Sequence, residues 1–267
     1  MTPTLPDTVE DWIATWLRGS NLDQRLSPSA PPRAWAAAPI TRDLRPTRPA
    51  GLEVALRTRR SVRASLLKSP EGRCRVLHTF CHHELQAAEL FGWAILRFAE
   101  AEPEFRAGLL SLLLDELRHA RLYSDELERH GSRFGAYPVR DWFWERVPQC
   151  ETPLSFVAFV GLGLEAGNLE HATRFAAAFR EVGDESGALV QELVAREEES
   201  HVRFAAHWFR RWSGGLDFDA WSTQLPAPIT PLLMRGKPLA HAARLRAGFD
   251  EEFLEALDSW SCPQSGS

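Results

Sequence analysis

The amino-acid sequence predicts an all-α fold: a four-helix bundle with an N-terminal arm and short C-terminal helices. Three observations carry that expectation. First, a Glu-x-x-His motif occurs twice, as Glu116 with His119 and as Glu198 with His201. On a helix this offset places both side chains on one face, one turn apart, where a carboxylate and an imidazole can grip one metal ion together. Second, each motif follows another glutamate at nearly the same interval: Glu84 lies 32 residues before Glu116, and Glu165 lies 33 before Glu198. A helix of about 28 residues plus a short turn returns the chain to the same height, so each half reads as an antiparallel helix pair with three ligands at mid-depth. Third, prolines that start helices and glycines that end them bracket the segments involved. One Glu-x-x-His is weak, because composition alone supplies about one in a chain of this length. Two, each preceded by a glutamate at matched spacing, are specific.

The bulk properties bound the rest. At 267 residues the chain suits one large domain or a domain with extensions, and 44% hydrophobic residues supply its core. A net charge of −5 gives no general case for nucleic acid or a membrane surface. Cys74, Cys81, Cys150 and Cys262 lack metal-site spacing and read as reduced thiols of a cytoplasmic protein. The N-terminus has no basic-then-apolar leader, and no apolar run nears the ~20 residues that span a bilayer. Ten Trp and fifteen Phe against two Tyr point to rings used for core and groove lining.

In chain order, residues 7–19 form a short helix. Asp7 is its expected cap, Glu10 completes a capping box, and Trp12, Ile13, Trp16 and Leu17 are its apolar stripe. Residues 20–68 are irregular, since Pro28, Pro31, Pro32, Pro39, Pro46 and Pro49 forbid a long helix. From residue 33 this arm is basic, with Arg33, Arg42, Arg45, Arg48, Arg57, Arg59, Arg60, Arg63 and Lys68. It reads either as a solvated arm around an acidic bundle or as a patch for RNA or another anionic ligand. Helix A runs from about Pro70 to Glu100, capped by Ser69. Its inner face is Leu77, Phe80, Cys81, Glu84, Ala88, Phe91, Ile95 and Phe98, in which Glu84 stands out as a carboxylate in an apolar stripe.

Helix B runs from Pro103 to His130, closed by Gly131, with Leu109, Leu112 or Leu113, Glu116, His119 or Ala120, and Tyr123 inward. Residues 131–151 cross between the halves. Helix C starts at the Thr152 cap with Pro153 in its first turn and ends near Gly183, apolar on all sides from Phe156 to Leu164. Gly161, Gly163 and Gly167 around Glu165 cost helix stability. They serve either close helix packing or space for a small substrate. Helix D runs from Asp184 to Trp212, ended by Gly214 and Gly215. Residues 216–260 hold a loop and one or two short helices, the last near 250–257. The expected organisation is an arm over 1–68, a bundle over 69–215 and an extension over 216–267. The halves echo each other: Glu84 is followed five residues on by Glu89, and Glu165 by Glu170. The second glutamate of each pair points off the first's face and is expected outside the ligand set or facing solvent.

The stretches Ser69–Arg73, His82–Leu90, Asp115–His119, Leu164–Gly167, Glu197–His201 and Ala243–Phe249 resemble a family within the ferritin-like superfamily. The resemblance covers roughly residues 54–257. It implies a ferritin-like bundle and a di-metal site. That superfamily also holds tRNA hydroxylases, ribonucleotide reductase radical subunits, manganese catalases and iron stores. By analogy with it, Glu116 and Glu198 bridge two metals, His119 and His201 each bind one, and Glu84 and Glu165 are terminal ligands. Glu116-x-x-His119-x-x-x-Tyr123 also has the spacing of the radical-bearing subunits, which makes Tyr123 a redox candidate beside the plainer reading of a packed ring.

Four carboxylates match two divalent ions, and carboxylate-rich ligation with imidazole suits iron, or manganese. The expected activity is therefore a non-haem di-iron oxidoreductase. It uses O2 to hydroxylate or oxidise an organic small molecule, with electrons from a separate donor. The alternatives are a tRNA-modifying hydroxylase and a metal-binding protein of the iron-handling or manganese catalase type. A homodimer fits the same expectations. Asp115, Glu197 and Glu199 are candidates to orient the imidazoles or are surface charges, and His83 is a minor candidate at the site rim.

Overall fold

A computed structural model describes residues 6–55 and 63–262 of the chain. Arg57, Arg59 and Arg60 of the basic arm lie outside these. The fold is all-α, and among the described residues the only β feature is an isolated bridge between Val54 and Val139. The chain divides into two compact units, residues 1–144 and 145–267, so the division falls between the two helix pairs. No helix among the described residues is long and apolar enough to cross a membrane.

In the first unit, α1 spans Val9–Arg18. Its cap is Thr8, whose side chain accepts from the Asp11 N–H, rather than Asp7. Glu10 does not close a capping box. It is buried and accepts from Arg106 at 2.6 Å and from the Ala36 N–H at 3.0 Å. Trp12, Ile13, Trp16 and Leu17 are buried as the periodicity predicts. A five-residue helix, α2, Leu22–Leu26, interrupts the stretch expected to be irregular, capped by Asn21. A 3-10 turn over Ala64–Lys68 then leads into α3, Pro70–Arg97.

The local chemistry that starts α3 is as predicted. The Ser69 hydroxyl accepts from the Gly72 N–H, and Pro70 fills the first turn. α4, Pro103–Arg129, follows a short connection and ends at Gly131, whose φ of +72° suits glycine. The pair is antiparallel: Cys74 near the start of α3 reaches the His130 carbonyl beyond the end of α4. Further along, a Cβ on Gly92 would meet both Ile13 of α1 and Leu113 of α4 at 3.1–3.2 Å. Leu77, Leu85 and Ile95 of α3 and Leu109, Leu113 and Leu117 of α4 belong to the buried core. Each is buried and contributes about 1.5–3 kcal/mol.

In the second unit, Thr152 and Ser155 form a capping box around α5, Pro153–Phe156. The chain does not continue as one α-helix. Val157–Glu165 is π-helical, and α6 resumes over Ala166–Glu181. α7 spans Glu185–Ser213, capped by Asp184 and ended by Gly214 at φ +82°. The extension is more helical than predicted, with α8, Phe218–Ser222, a 3-10 turn over Pro231–Met234, α9, His241–Arg246, and α10, Glu251–Ser259.

Two contacts from this extension meet the π segment. The Trp221 indole N–H donates to the Ala158 carbonyl at 2.9 Å, giving that backbone group a partner outside its own helix. Met234 packs where a side chain at Gly163 would stand, and the Ala205 methyl of α7 packs where one at Gly161 would stand. Gly161 and Gly163 are therefore packing glycines, the first of the two alternatives the sequence left open. Only Gly167 is roomy, with its nearest such neighbour the Met234 carbonyl at 4.0 Å.

Gly161→Ala is expected to destabilise the protein by about 1–3 kcal/mol through overpacking, whereas Gly167→Ala is expected to be neutral or slightly stabilising. Denaturant unfolding of both variants tests this, and equal stability of Gly161→Ala and the parent would remove the packing explanation.

Candidate metal centre

Helical spacing brings together three of the predicted ligands in the first unit. Glu84 comes from α3, one turn beyond Cys81 and one turn before Ala88, both fully buried. Glu116 and His119 come from the facing side of α4. All three are buried, and each offers a ligand atom within 4.8 Å of the others. His119 Nδ1 lies 3.4 Å from Glu116 Oε2, the geometry expected of an i, i+3 pair. The Cys81 thiol does not join them as a thiolate. Burial, then the charges of Glu84 and Asp125, push its pKa well up, and it donates to the Ala120 carbonyl at 3.3 Å.

The second unit repeats the arrangement. Glu165 ends the π-helical segment, and Glu198 and His201 lie on α7. All three are buried, with ligand atoms within 4.8 Å of one another, and His201 Nδ1 is 3.1 Å from Glu198 Oε2. Asn168 of α6 donates from Nδ2 to Glu198 Oε1 at 3.3 Å.

Each cluster fits a metal ion by its chemistry. Two buried carboxylates and an imidazole offer hard oxygens with one nitrogen, a donor set that takes a divalent cation. Burying carboxylates together without compensation costs several kcal/mol, and a bound cation would supply that compensation.

The structure separates the remaining candidates from these clusters. Glu89 and Glu170, expected outside the ligand set or facing solvent, lie outside both clusters but do not face solvent: they are buried anchors for arginines. Glu89 accepts from Arg25 at 2.8 Å, Arg48 at 2.9 Å and the Trp144 indole at 2.9 Å. Glu170 takes a bidentate pair from Arg244, at 2.7 and 2.8 Å, and accepts the Gly236 and Ala240 N–H groups. The arm is thus only partly solvated: Arg33, Arg45 and Arg63 are exposed, but Arg48 turns inward between Glu89 and Asp141, and Arg42 pairs with Asp11.

Tyr123 is buried one turn beyond His119 with its ring centroid 5.5 Å from that of Phe80. His83 sits against Phe143, and His82 is buried 3.4 Å from Asp141. Asp115 accepts from Arg118 at 3.2 Å, and Glu199 pairs with Arg246 of the extension.

His78 escaped the sequence reading. It is buried, and its Nε2 accepts the Gly135 N–H at 2.9 Å, fixing the start of the crossing segment. The available signal was a second helical stripe, His78, His82, Leu85 and Glu89, all of which are buried.

A sequence family described as a protein of unknown function (DUF455) matches residues 7–255. No curated protein and no solved structure matches the chain.

Two outcomes follow from these contacts. Glu89→Gln and Glu170→Gln should each cost about 3–5 kcal/mol, because each leaves a buried arginine uncompensated; chemical denaturation measures this, and a loss under about 1 kcal/mol in either would contradict the anchoring role. Burial, then His82 and Arg75, hold the His78 pKa down at about 4 instead of 6.5. A native pKa below the unfolded one means its contribution is complete above pH 6.5 and is lost as pH falls towards 4. The stability decline over that window should shrink in His78→Gln, by at most about 3 kcal/mol.

Proposed function

The chain belongs to this family of unknown function, DUF455, and we propose that it is a ferritin-like di-metal carboxylate oxidoreductase. It holds two iron ions, with manganese as the alternative occupant, and uses O2 to hydroxylate or oxidise an organic small molecule. The observation that carries the proposal is the repetition. Each half gathers two buried glutamates and one histidine at ligand distance from one another. A single such cluster occurs in many proteins; two with the same residue types at matched chain spacing point to paired metal ions.

Glu84, Glu116 and His119 would hold one ion, and Glu165, Glu198 and His201 the other. Four carboxylates balance the charge of two divalent ions, and the imidazoles favour iron or manganese over magnesium and calcium. When bound, iron supplies the redox chemistry towards O2 that the side chains lack. The protein's share is orientation and exclusion of water. In both halves the imidazole turns Nδ1 towards the glutamate one helical turn before it. Binding through Nδ1 requires the ring proton to sit on Nε2.

The ligands are buried on helices rich in buried apolar residues, among them Ala88 and Phe91 on α3 and Phe159, Val160 and Leu162 on the π segment. There, charge–charge attraction is weakly screened. Tyr123, one turn beyond His119 with its ring against Phe80, is a redox candidate beside the plainer reading of a packed ring. Substrate hydroxylation would draw two further electrons from a separate donor.

Glu116→Ala and His201→Ala should each lose bound iron and any reaction of the ferrous protein with O2. Elemental analysis of purified protein, followed by optical spectra on adding O2 to the ferrous form, tests this. Full metal content in either variant would overturn the assignment.

A further inference from the structure

We propose that the cleft between α2 and the end of α4, within the first unit, binds a basic α-amino acid of the lysine type. It uses none of the metal-cluster residues and does not depend on the di-metal reading. The cleft holds about 440 Å3, within the range of pockets that take small molecules. Its floor is apolar: Leu26 and Phe134 are buried and Leu22 is half-buried. Its rim carries charge of both signs, with Asp23 on α2, Glu128 on α4 and Arg133 in the crossing segment, all exposed.

The shape is fixed by contacts within the protein. Three segments meet at Gly135, where φ is +92° and a Cβ would stand 2.8 Å from the Gly51 carbonyl oxygen and 3.2 Å from the Leu22 side chain. The Gly135 N–H donates to His78 Nε2 at 2.9 Å, and the Phe134 ring centroid lies 4.9 Å from that of His78. On the opposite side Arg121 donates to the Leu26 carbonyl at 3.1 Å, which ties α2 to α4. Floor and walls are thus set before any ligand arrives, and a pre-formed site spends less of its binding energy on ordering.

The rim points to the ligand. Among the described residues, the side chains of Asp23, Glu128 and Arg133 make no hydrogen bond or ion pair with the protein. Elsewhere in this unit the chain pairs such groups, as Arg48 with Asp141 and Arg106 with Glu10. Here an arginine and two carboxylates line one cleft and are held apart. A molecule with opposite charges at its own ends satisfies all three. Two carboxylates and one guanidinium match two ammonium groups and one carboxylate, the charge set of lysine. The guanidinium fork takes the ligand carboxylate through two parallel hydrogen bonds. The methylene stem lies along Leu22, Leu26 and Phe134, as lysine stems lie on apolar protein surface while their charged heads stay in water.

The test is isothermal titration calorimetry of the full chain with three probes: L-lysine, cadaverine, which lacks the carboxylate, and L-norleucine, which lacks the ε-ammonium. Lysine should bind tightest, and loss of either charged end should weaken binding by about 10-fold or more. Arg133→Gln should bring lysine down to the level of cadaverine. Asp23→Asn and Glu128→Gln should each weaken lysine by about 10-fold, and one of them should erase its preference over norleucine. The three side chains are exposed, so their substitution leaves the fold intact, which thermal unfolding checks. General attraction to a chain of net charge −5 would favour the doubly charged cadaverine over lysine. That order of affinities overturns the proposal, as does absence of lysine binding or an Arg133→Gln protein that still prefers lysine to cadaverine.

Discussion

Buried carboxylates govern this protein. A glutamate deep among leucines and phenylalanines is tolerated only when positive charge or several hydrogen bonds meet it. The chain answers this demand in two ways, on α3 and on the π segment with α6. At Glu89 and Glu170 the answer is arginine, delivered by Arg25 and Arg48 from the N-terminal arm and by Arg244 from the C-terminal extension. At Glu84 and Glu165 the chain instead adds a second glutamate and a histidine. Carboxylate and imidazole in close company are the donors that a metal ion uses. Fixing both arrangements at a spacing of five residues ties the appendages to the same helices that present the candidate ligands.

That economy shapes the extensions. The N-terminal arm carries Arg25 inward, where its second nitrogen also donates to the Leu17, Gly19 and Thr47 carbonyls. The C-terminal extension does more, since it supplies Arg244 to Glu170, Trp221 to the Ala158 carbonyl and Met234 to the space over Gly163. The last two act on the π-helical segment that ends at Glu165. A π turn inside a longer helix shifts side chains relative to α-helical register and is frequent at functional sites. Here the extension contacts the segment at Ala158 and Gly163, so residues far along the chain pack against the stretch that ends at Glu165.

Much of this was legible from local chemistry. Ser69, Thr152, Asp184 and Asp250 cap helices because a short polar side chain before a helical segment has an N–H group to bond. Gly131 and Gly214 close helices because their positive φ is cheap only for glycine. The two Glu-x-x-His motifs and their preceding glutamates landed in compact clusters because periodicity fixes which side chains share a face. Failures occurred where two local solutions compete or where a partner is distant. Asp7 and Thr8 are both able caps, and the choice of Thr8 frees Glu10 for Arg106. Arg48 and Arg45 look alike in the sequence, yet one is drawn to Glu89 and the other stays in water.

The sequence alone determined that the chain is helical, where its long helices begin and end, and which glutamates and histidines share a helical face. These follow from polar caps, helix-ending glycines and the three-residue interval of the Glu-x-x-His motifs, all of which act locally and need no distant partner. Tertiary structure alone decided that Val157–Glu165 is π-helical, that Gly161 and Gly163 serve contact with Ala205 and Met234, and that Glu89 and Glu170 hold arginines. Each depends on which residue arrives from elsewhere in the chain to fill a space or balance a charge. No periodicity encodes that arrival, because it is settled only when the segments pack.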